Sequence, residues 1–223
     1  MILTILQART NSSRLPAKSL LPVNNLPMSI LAAKRAKNEF SKLVVATSNE
    51  KSDDLLCKYF EEHKIEFFRG SLNNVISRFI EISNNYKLNS YDTIIRLTAD
   101  NPVVDQYLLE DMMEVWCKNN FIYMQAEPDN LLSSNWPKGL SAEFFRYDSL
   151  VESFKNSDSP KVREHVTTDI RIATPKFVYG DSVNLHFKTK FCGVDTFEDY
   201  LHLLDLFENQ SIFEKYSNIL KKT

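Results

Sequence analysis

Through the first 125 residues, short apolar runs alternate with longer stretches in which apolar and polar positions mix at helical spacing. Ile2–Leu6, Leu43–Thr47, Ile65–Phe68, Thr93–Leu97 and Phe121–Met124 are rich in β-branched or aromatic residues and too short for a helix, so each predicts a strand. Between them lie helical patterns. Met28–Lys37 follows Pro27, a residue suited to a first turn, and Asp53–His63 carries Leu55, Leu56, Tyr59 and Phe60 at helical spacing. Val75–Ile82 and Tyr107–Cys117 repeat the pattern. Strand alternating with helix predicts βαβ units, hence an α/β fold with a mostly parallel sheet flanked by helices. Such sheets bind ligands beyond the carboxyl ends of their strands, where loops converge and helix N-termini point outward.

After about residue 126 the rhythm changes. A polar loop runs through Pro137, followed by an alternating strand at Leu140–Phe145, a helix after Asp148 and a helix around Arg163–Arg171. Strands are expected near Phe177–Tyr179 and at Asn184–Phe187. The last helix is expected to start at Thr196 as N-cap, with Asp199 three positions on in a short-armed capping box, ahead of Tyr200, Leu203, Leu204 and Phe207. No repeat, low-complexity tract or linker interrupts the chain, so one domain over 1–223 with a β-rich inserted part at about 126–190 is expected.

Composition narrows the possible partners. The 223 residues are 43% hydrophobic and 25% charged, the balance of a soluble globular chain able to build a sizeable core. A formal net charge of −2 leaves no broad basic surface for nucleic acid, so any polyanion must be met by a local cluster. Cys57, Cys117 and Cys192 lie far apart without a CxxC spacing, which argues against a zinc knuckle, a redox motif or a disulfide framework and predicts a reducing, cytoplasmic setting. The opening MILTIL is short and has no cationic flank, so neither a signal peptide nor a membrane span is expected, and no later stretch is apolar enough to span.

Against this background the opening cations matter more. The first strand leads into Arg9, Arg14 and Lys18, set among Asn, Ser and Pro. Small side chains there let backbone N–H groups approach an anion while three cations reach phosphate oxygens, which suits a polyphosphate. The glycine patterns of the ATPase and dinucleotide loops are absent. The alternative is a solvated loop with scattered cations. In Arg96–Asp105, Thr98 and Asp100 fall at the same sheet edge, and a Mg²⁺-bound triphosphate needs few protein oxygens. Equally, Asp100 or Asp105 can simply cap the next helix. Asp195 again ends an apolar segment; it shares a metal with Asp100 if their strands are neighbours, and is otherwise a turn residue. Arg163, Glu164 and His165 are consecutive, so on a helix they point in different directions and form no compact cluster by themselves.

The run Leu6–Leu20 resembles the N-terminal signature of the CMP-sugar synthetase-like cytidylyltransferases, most closely the spore-coat-polysaccharide-type branch. That signature reads Gln-Ala-Arg-x-x-Ser-x-Arg-Leu-Pro-x-Lys, and Gln7, Ala8, Arg9, Ser12, Arg14, Leu15, Pro16 and Lys18 stand in register. Val44–Ser48, Phe68–Phe79, Ile95–Asp105, Pro137–Phe145, Arg163–Arg171 and Gly193–Tyr200 follow in the family's order and spacing, so the resemblance covers almost the whole chain. It implies a Rossmann-like, nucleotide-diphospho-sugar transferase-like fold with a small β-rich dimerisation part after residue 126. Composition adds apolar and aromatic residues such as Trp136, Phe144, Phe145 and Phe187 to that dimer face, though they serve equally as core.

The resemblance also implies roles. Arg9, Arg14 and Lys18 would bind the phosphates of CTP, with Ala8 and Ser12 close by; Arg69 and Asn74 would lie along the cytosine and ribose, and Thr98 near the base or ribose. Asp100 and Asp195 would hold Mg²⁺, and with Arg9 and Lys18 form the catalytic set. Glu143, Arg163, Glu164 and His165 would line the acceptor pocket. The implied reaction moves CMP from CTP to a sugar acid, polyol phosphate or related small acceptor and releases pyrophosphate, in surface-glycan precursor synthesis. The rivals are a sugar-nucleotide-dependent glycosyltransferase and a catalytically silent nucleotide-binding protein of the same fold. Asn11, Ala17 and Ala99 stand where relatives often have Gly, which matters only where the backbone needs a positive φ. Ser141 stands where relatives often have Asp, removing a charge beside the expected acceptor pocket.

Overall fold

Strand β1 (Ile2–Gln7) is central because its side chains are buried on both faces: Leu3 and Ile5 pack to one side, Leu6 to the other. A computed structural model describes residues 1–131, 134–156, 159–183 and 185–208. Strands β4 (Lys42–Ser48) and β6 (Thr93–Thr98) flank β1 in parallel, and β5 (Phe67–Gly70) extends the sheet beyond β4. On the other side β8 (Glu143–Arg146) runs antiparallel to β6, β7 (Tyr123–Gln125) antiparallel to β8, and β9 (Lys176–Val178) parallel to β7. The seven-stranded order is β5-β4-β1-β6-β8-β7-β9. This is the mixed, mostly parallel α/β sheet that the periodicity predicts.

Helices cover both faces. Helices α1 (Met28–Ala36), α2 (Asp54–Glu62), α4 (Gln106–Lys118) and α9 (Phe197–Phe207) bury their apolar stripes with Leu6, Val45, Ile95 and Phe144. Helices α3 (Val75–Asn85), α5 (Tyr147–Asn156), α6 (Pro160–His165) and α7 (Thr168–Ala173) close over Leu3, Ile5, Val44 and Phe145. A short α8 (Tyr179–Ser182) follows β9. Two-residue strands β2 (Pro22–Val23) and β3 (Leu26–Pro27) form a hairpin whose turn, Asn24-Asn25, has positive φ at both positions, the conformation that Asn tolerates best after Gly. The stretch 126–190 gives β8 and β9 to the main sheet and carries α5 to α8.

The structure departs from the sequence pattern at several points. The helix expected around Arg163–Arg171 is two helices, broken at Val166, where φ is 57° and ψ −55° and the Thr167 N–H donates to the His165 carbonyl at 2.5 Å. This γ-turn is strained for a β-branched residue, at a cost of about 1–3 kcal/mol, and it is held by the burial of Val166 and Thr167. The strand expected at Leu140–Phe145 begins at Glu143, because the Leu140 carbonyl accepts from the Trp136 indole at 2.8 Å rather than from a strand. Of the strand expected at Asn184–Phe187, Asn184 lies outside the described residues, and Leu185 and His186 are irregular. Trp136, Phe144, Phe145 and Phe187 are buried within the chain, so they are core and add nothing to a dimer face. Among the described residues no helix is long and apolar enough to cross a membrane.

Candidate active site

The loop after β1 is shaped by one buried acid. Asp53 accepts from the Thr10 amide at 2.8 Å and the Thr10 hydroxyl at 2.6 Å, and its other oxygen accepts from Thr47 and from both donors of Ser48. Burial alone would raise the Asp53 carboxyl; the bonds from Ser48 and Thr10 outweigh that and hold it below its ordinary value. The loop returns at Ala17, whose N–H donates to the Thr10 carbonyl at 2.9 Å. Ala17 has φ 58° and ψ 20°, so of the positions where relatives often carry Gly, this one demands a left-handed backbone, and the alanine meets it with strain. Asn11 and Ala99 have no positive φ.

From Ala17 the chain enters a short 3-10 turn that starts with Lys18. The Lys18 Nζ donates to Asp100 Oδ2 at 2.7 Å, to the Val194 carbonyl at 2.7 Å and to Asp195 Oδ1 at 3.3 Å. Arg14 donates to the same Asp195 oxygen at 2.8 Å, and Arg9 reaches Glu164 at 3.3 Å. Asp100 does not cap a helix. That role belongs to Asp105, which accepts from the Tyr107 and Leu108 N–H groups at 3.1 Å. Asp195 is likewise no mere turn residue, since it meets Asp100 across the Lys18 ammonium.

Two glycines explain that meeting. Gly139, at φ +93°, lies against Gly193 so closely that an added Cβ would sit 2.3 Å from the Gly193 nitrogen. Residues on either side zip together: Lys138 N–H to the Lys190 carbonyl at 2.9 Å, Cys192 N–H to the Lys138 carbonyl at 2.9 Å, and Val194 N–H to the Asp100 carbonyl at 2.8 Å. Asp199 then accepts from the Asp195 and Thr196 amides at 2.9 and 2.8 Å, completing the capping box expected at the start of α9.

Two clefts open from this point and share Asp100. The larger, about 310 Å³, is lined by the β1 loop with Ala8, Arg9, Ser12, Arg14 and Lys18, by Thr98 beneath, and by Glu164 and His165 opposite. The smaller, about 200 Å³, is lined by Asn101, Glu127, Lys138 and Phe191 together with Asp195. Glu127 accepts from the Gly139 N–H at 3.1 Å, and burial pushes its carboxyl up.

Several residues expected at the site line neither cleft. Arg69 donates to the Ser48 and Glu50 carbonyls at 3.0 and 2.9 Å and pairs with Asp54 at 2.7 Å, bracing the turn ahead of α2. Asn74 caps α3 by accepting from the Ser77 N–H at 3.2 Å. Glu143 is buried behind the larger cleft, ion-paired with Arg96 and accepting from Tyr123 at 2.5 Å and Thr167 at 2.8 Å. Arg163 lines neither cleft.

Asp53, Arg96, Asn101, Glu127 and Lys138 stand at the loop and the two clefts without a role assigned to them from the sequence, although Arg96, Asn101 and Lys138 fall inside the matching blocks Ile95–Asp105 and Pro137–Phe145. A charged residue inside the apolar strand Thr93–Leu97 was the available signal for Arg96; Asp53 looked like a helix start, and nothing local marked Glu127. Beneath the loop, Arg78 is wholly buried and donates to the Ser71, Ala46 and Leu72 carbonyls at 2.8, 3.3 and 3.1 Å. Burial, helped by the nearby charge of Arg9, pushes it down to about 10, so it stays a cation near neutral pH.

The model of the Cytidylyltransferase family matches residues 3–219. The chain belongs to that family. This cytidylyltransferase is 33% identical to the spore coat polysaccharide biosynthesis protein SpsF of Bacillus subtilis over 177 residues, covering 76% of this chain and 70% of SpsF. It is 30% identical to an uncharacterised protein of Methanocaldococcus jannaschii, covering 92% of this chain and 82% of that one. Among solved structures, a cytidylyltransferase from Leptospira borgpetersenii superposes with a TM-score of 0.84 at 26% identity, over 98% of this chain and 91% of its own. As a family member the chain is a CTP-dependent nucleotidyltransferase.

Proposed function

We propose that this cytidylyltransferase moves CMP from CTP to a small sugar acid, polyol phosphate or related acceptor, releasing pyrophosphate, in the synthesis of surface-glycan precursors. The observation that carries the reading is the meeting of Lys18, Asp100 and Asp195 on the seam between two clefts. The larger cleft takes the nucleotide, with Arg9 and Arg14 on the triphosphate and Thr98 beneath it. The smaller takes the acceptor, where the Glu127 carboxylate and Lys138 offer an acceptor and a donor for a polar, hydroxylated molecule.

An acceptor oxygen then attacks the α-phosphorus in line and pyrophosphate departs towards the arginines. The protein mainly positions the reactants and neutralises charge. Asp100 and Asp195 already converge on one cation, and two carboxylates completed by phosphate oxygens and water are a donor set that suits Mg²⁺, so these residues fit the ion that the family resemblance implies. Mg²⁺ bound there would neutralise the triphosphate and polarise its reacting phosphoryl group. A phosphate acceptor brings its own oxyanion, whereas an alcohol gives up a proton, for which His165 in the wall of the larger cleft is a base that α6 offers.

Pro102 speaks against the glycosyltransferase reading. In an Asp-x-Asp metal motif starting at Asp100 the second carboxylate would stand at Pro102, and Asn101 between them is committed elsewhere, its amide donating to Thr98 at 2.9 Å and its carbonyl packing on Gly193. Incubating the purified protein with CTP, Mg²⁺ and a panel of sugar acids, polyol phosphates and phosphonates tests the proposal through pyrophosphate release. Silence across that panel, or equal turnover with UTP, rejects it. A homodimer belongs to the same reading through the family resemblance, and light scattering after gel filtration measures it directly.

A further inference from the structure

An ammonium has three N–H donors, and the Lys18 ammonium spends all of them on the protein itself: on Asp100, on the Val194 carbonyl and on Asp195. Its side chain is only 11% exposed. Asp195 also carries the Arg14 guanidinium, so the two acids of the seam are already charge-compensated without any ligand. A divalent cation needs the same carboxylate oxygens. Bringing it to within a few ångströms of a fixed ammonium is strongly unfavourable in so sheltered a place.

The geometry also offers a way out. Lys18 is part of the wall of the larger cleft, so a rotation of its flexible stem carries the ammonium from the carboxylates to a phosphate in that cleft. The backbone has no need to follow. Ala17 is locked by its bond to Thr10, and the Leu20 and Leu21 N–H groups close the turn on Ala17 and Lys18 at 2.9 and 3.1 Å.

We propose that Lys18 is a resident counter-ion that makes the divalent-cation site conditional on nucleotide: the Asp100–Asp195 pair accepts a divalent ion only once a triphosphate has drawn the Lys18 ammonium away. The nucleotide part of this inference rests on the function proposed above, whereas the counter-ion part concerns the free protein alone. Cation and nucleotide then bind cooperatively and reciprocally, each tightening the other by one common factor.

The test uses Mn²⁺ as probe, followed by electron paramagnetic resonance on the full chain without nucleotide. The expected result is that Lys18→Met and Lys18→Gln each take up one Mn²⁺ at least about tenfold more tightly than the wild type. Adding Asp100→Asn to either variant should return uptake to the wild-type level, which ties the gained site to the acid pair. Thermal melts identify a variant that has not folded, and the second variant then carries the comparison. Equal Mn²⁺ affinity in wild type and folded variants overturns the proposal, as does tight wild-type uptake in the absence of CTP. Adding CTP to the wild type separates the two readings: if CTP neither binds nor promotes Mn²⁺ uptake, the nucleotide reading fails while the variant comparison still decides the role of Lys18.

Discussion

Thr10 and Asp53, 43 positions apart, are joined twice: amide and hydroxyl of the one donate to a single carboxylate oxygen of the other. The loop that carries Arg9, Arg14 and Lys18 is thereby fastened to the end of β4 within the chain itself. Asp53→Asn keeps the shape but puts an amide among groups that all donate, so stability should fall by about 2–3 kcal/mol in urea unfolding, with weaker CTP binding by calorimetry. The Asp53 carboxyl is held below its ordinary 3.8, so its contribution is complete above that pH and lost as pH falls through the lower folded value. The gap between wild type and variant should therefore narrow in acid.

Glu143 sits behind the cleft as the anionic partner of Arg96. Burial works against its charge, but Arg96, Tyr123 and Thr167 outweigh it and hold the carboxyl below the ordinary 4.5. Glu143→Gln leaves the guanidinium without its counter-charge in a sheltered place and should cost about 3 kcal/mol at neutral pH. The stabilisation is full above the unfolded value and disappears as pH falls through the lower folded one, so the unfolding curves of the two proteins should converge in acid.

Ala17 makes the opposite prediction. A left-handed alanine costs about 1–2 kcal/mol, and glycine returns about 0.5–1 kcal/mol of that through the greater freedom of its unfolded chain. Ala17→Gly should therefore raise the melting temperature by about 2–3 °C. A lowered melting temperature would refute the strain assigned to this residue.

Gly139→Ala should do harm out of proportion to one methyl group. Its Cβ meets the Gly193 nitrogen at 2.3 Å, and the only relief is to part the two chain segments that place Asp195 beside Asp100. We expect a loss of about 2–3 kcal/mol and a fall in pyrophosphate release on the order of a hundredfold. Retained turnover would mean that the contact is not what aligns the acids.

Much of the fold was open to reading because period-two and period-3.6 patterns separate cleanly in the first 125 residues, and both periods report on local burial. The break at Val166 was not, because no local signal marks it; it exists where Val166 fills the core and Thr167 bonds to Glu143. The same holds for the site. Arg9, Arg14 and Lys18 share one loop and were visible as a motif, whereas the approach of Asp195 to Asp100 depends on two glycines from distant segments that only the folded chain brings into contact. Arg69 and Asn74 lie in a block that fits the family pattern, and in the folded chain one side chain braces a turn while the other caps a helix.

The division of labour around Asp100 has a bearing on how such a protein changes over generations. Apart from Asp100 and Asn101, the walls of the smaller cleft come from the segments at 127, 138–139 and 191–195, which are separate from the loop at 8–18. Under the proposed function, Glu127, Lys138 and Phe191 can therefore drift to welcome a new guest while the cationic loop, Asp100 and Asp195 keep their old one, and exchanging those three side chains between relatives is a natural way to redirect the chemistry.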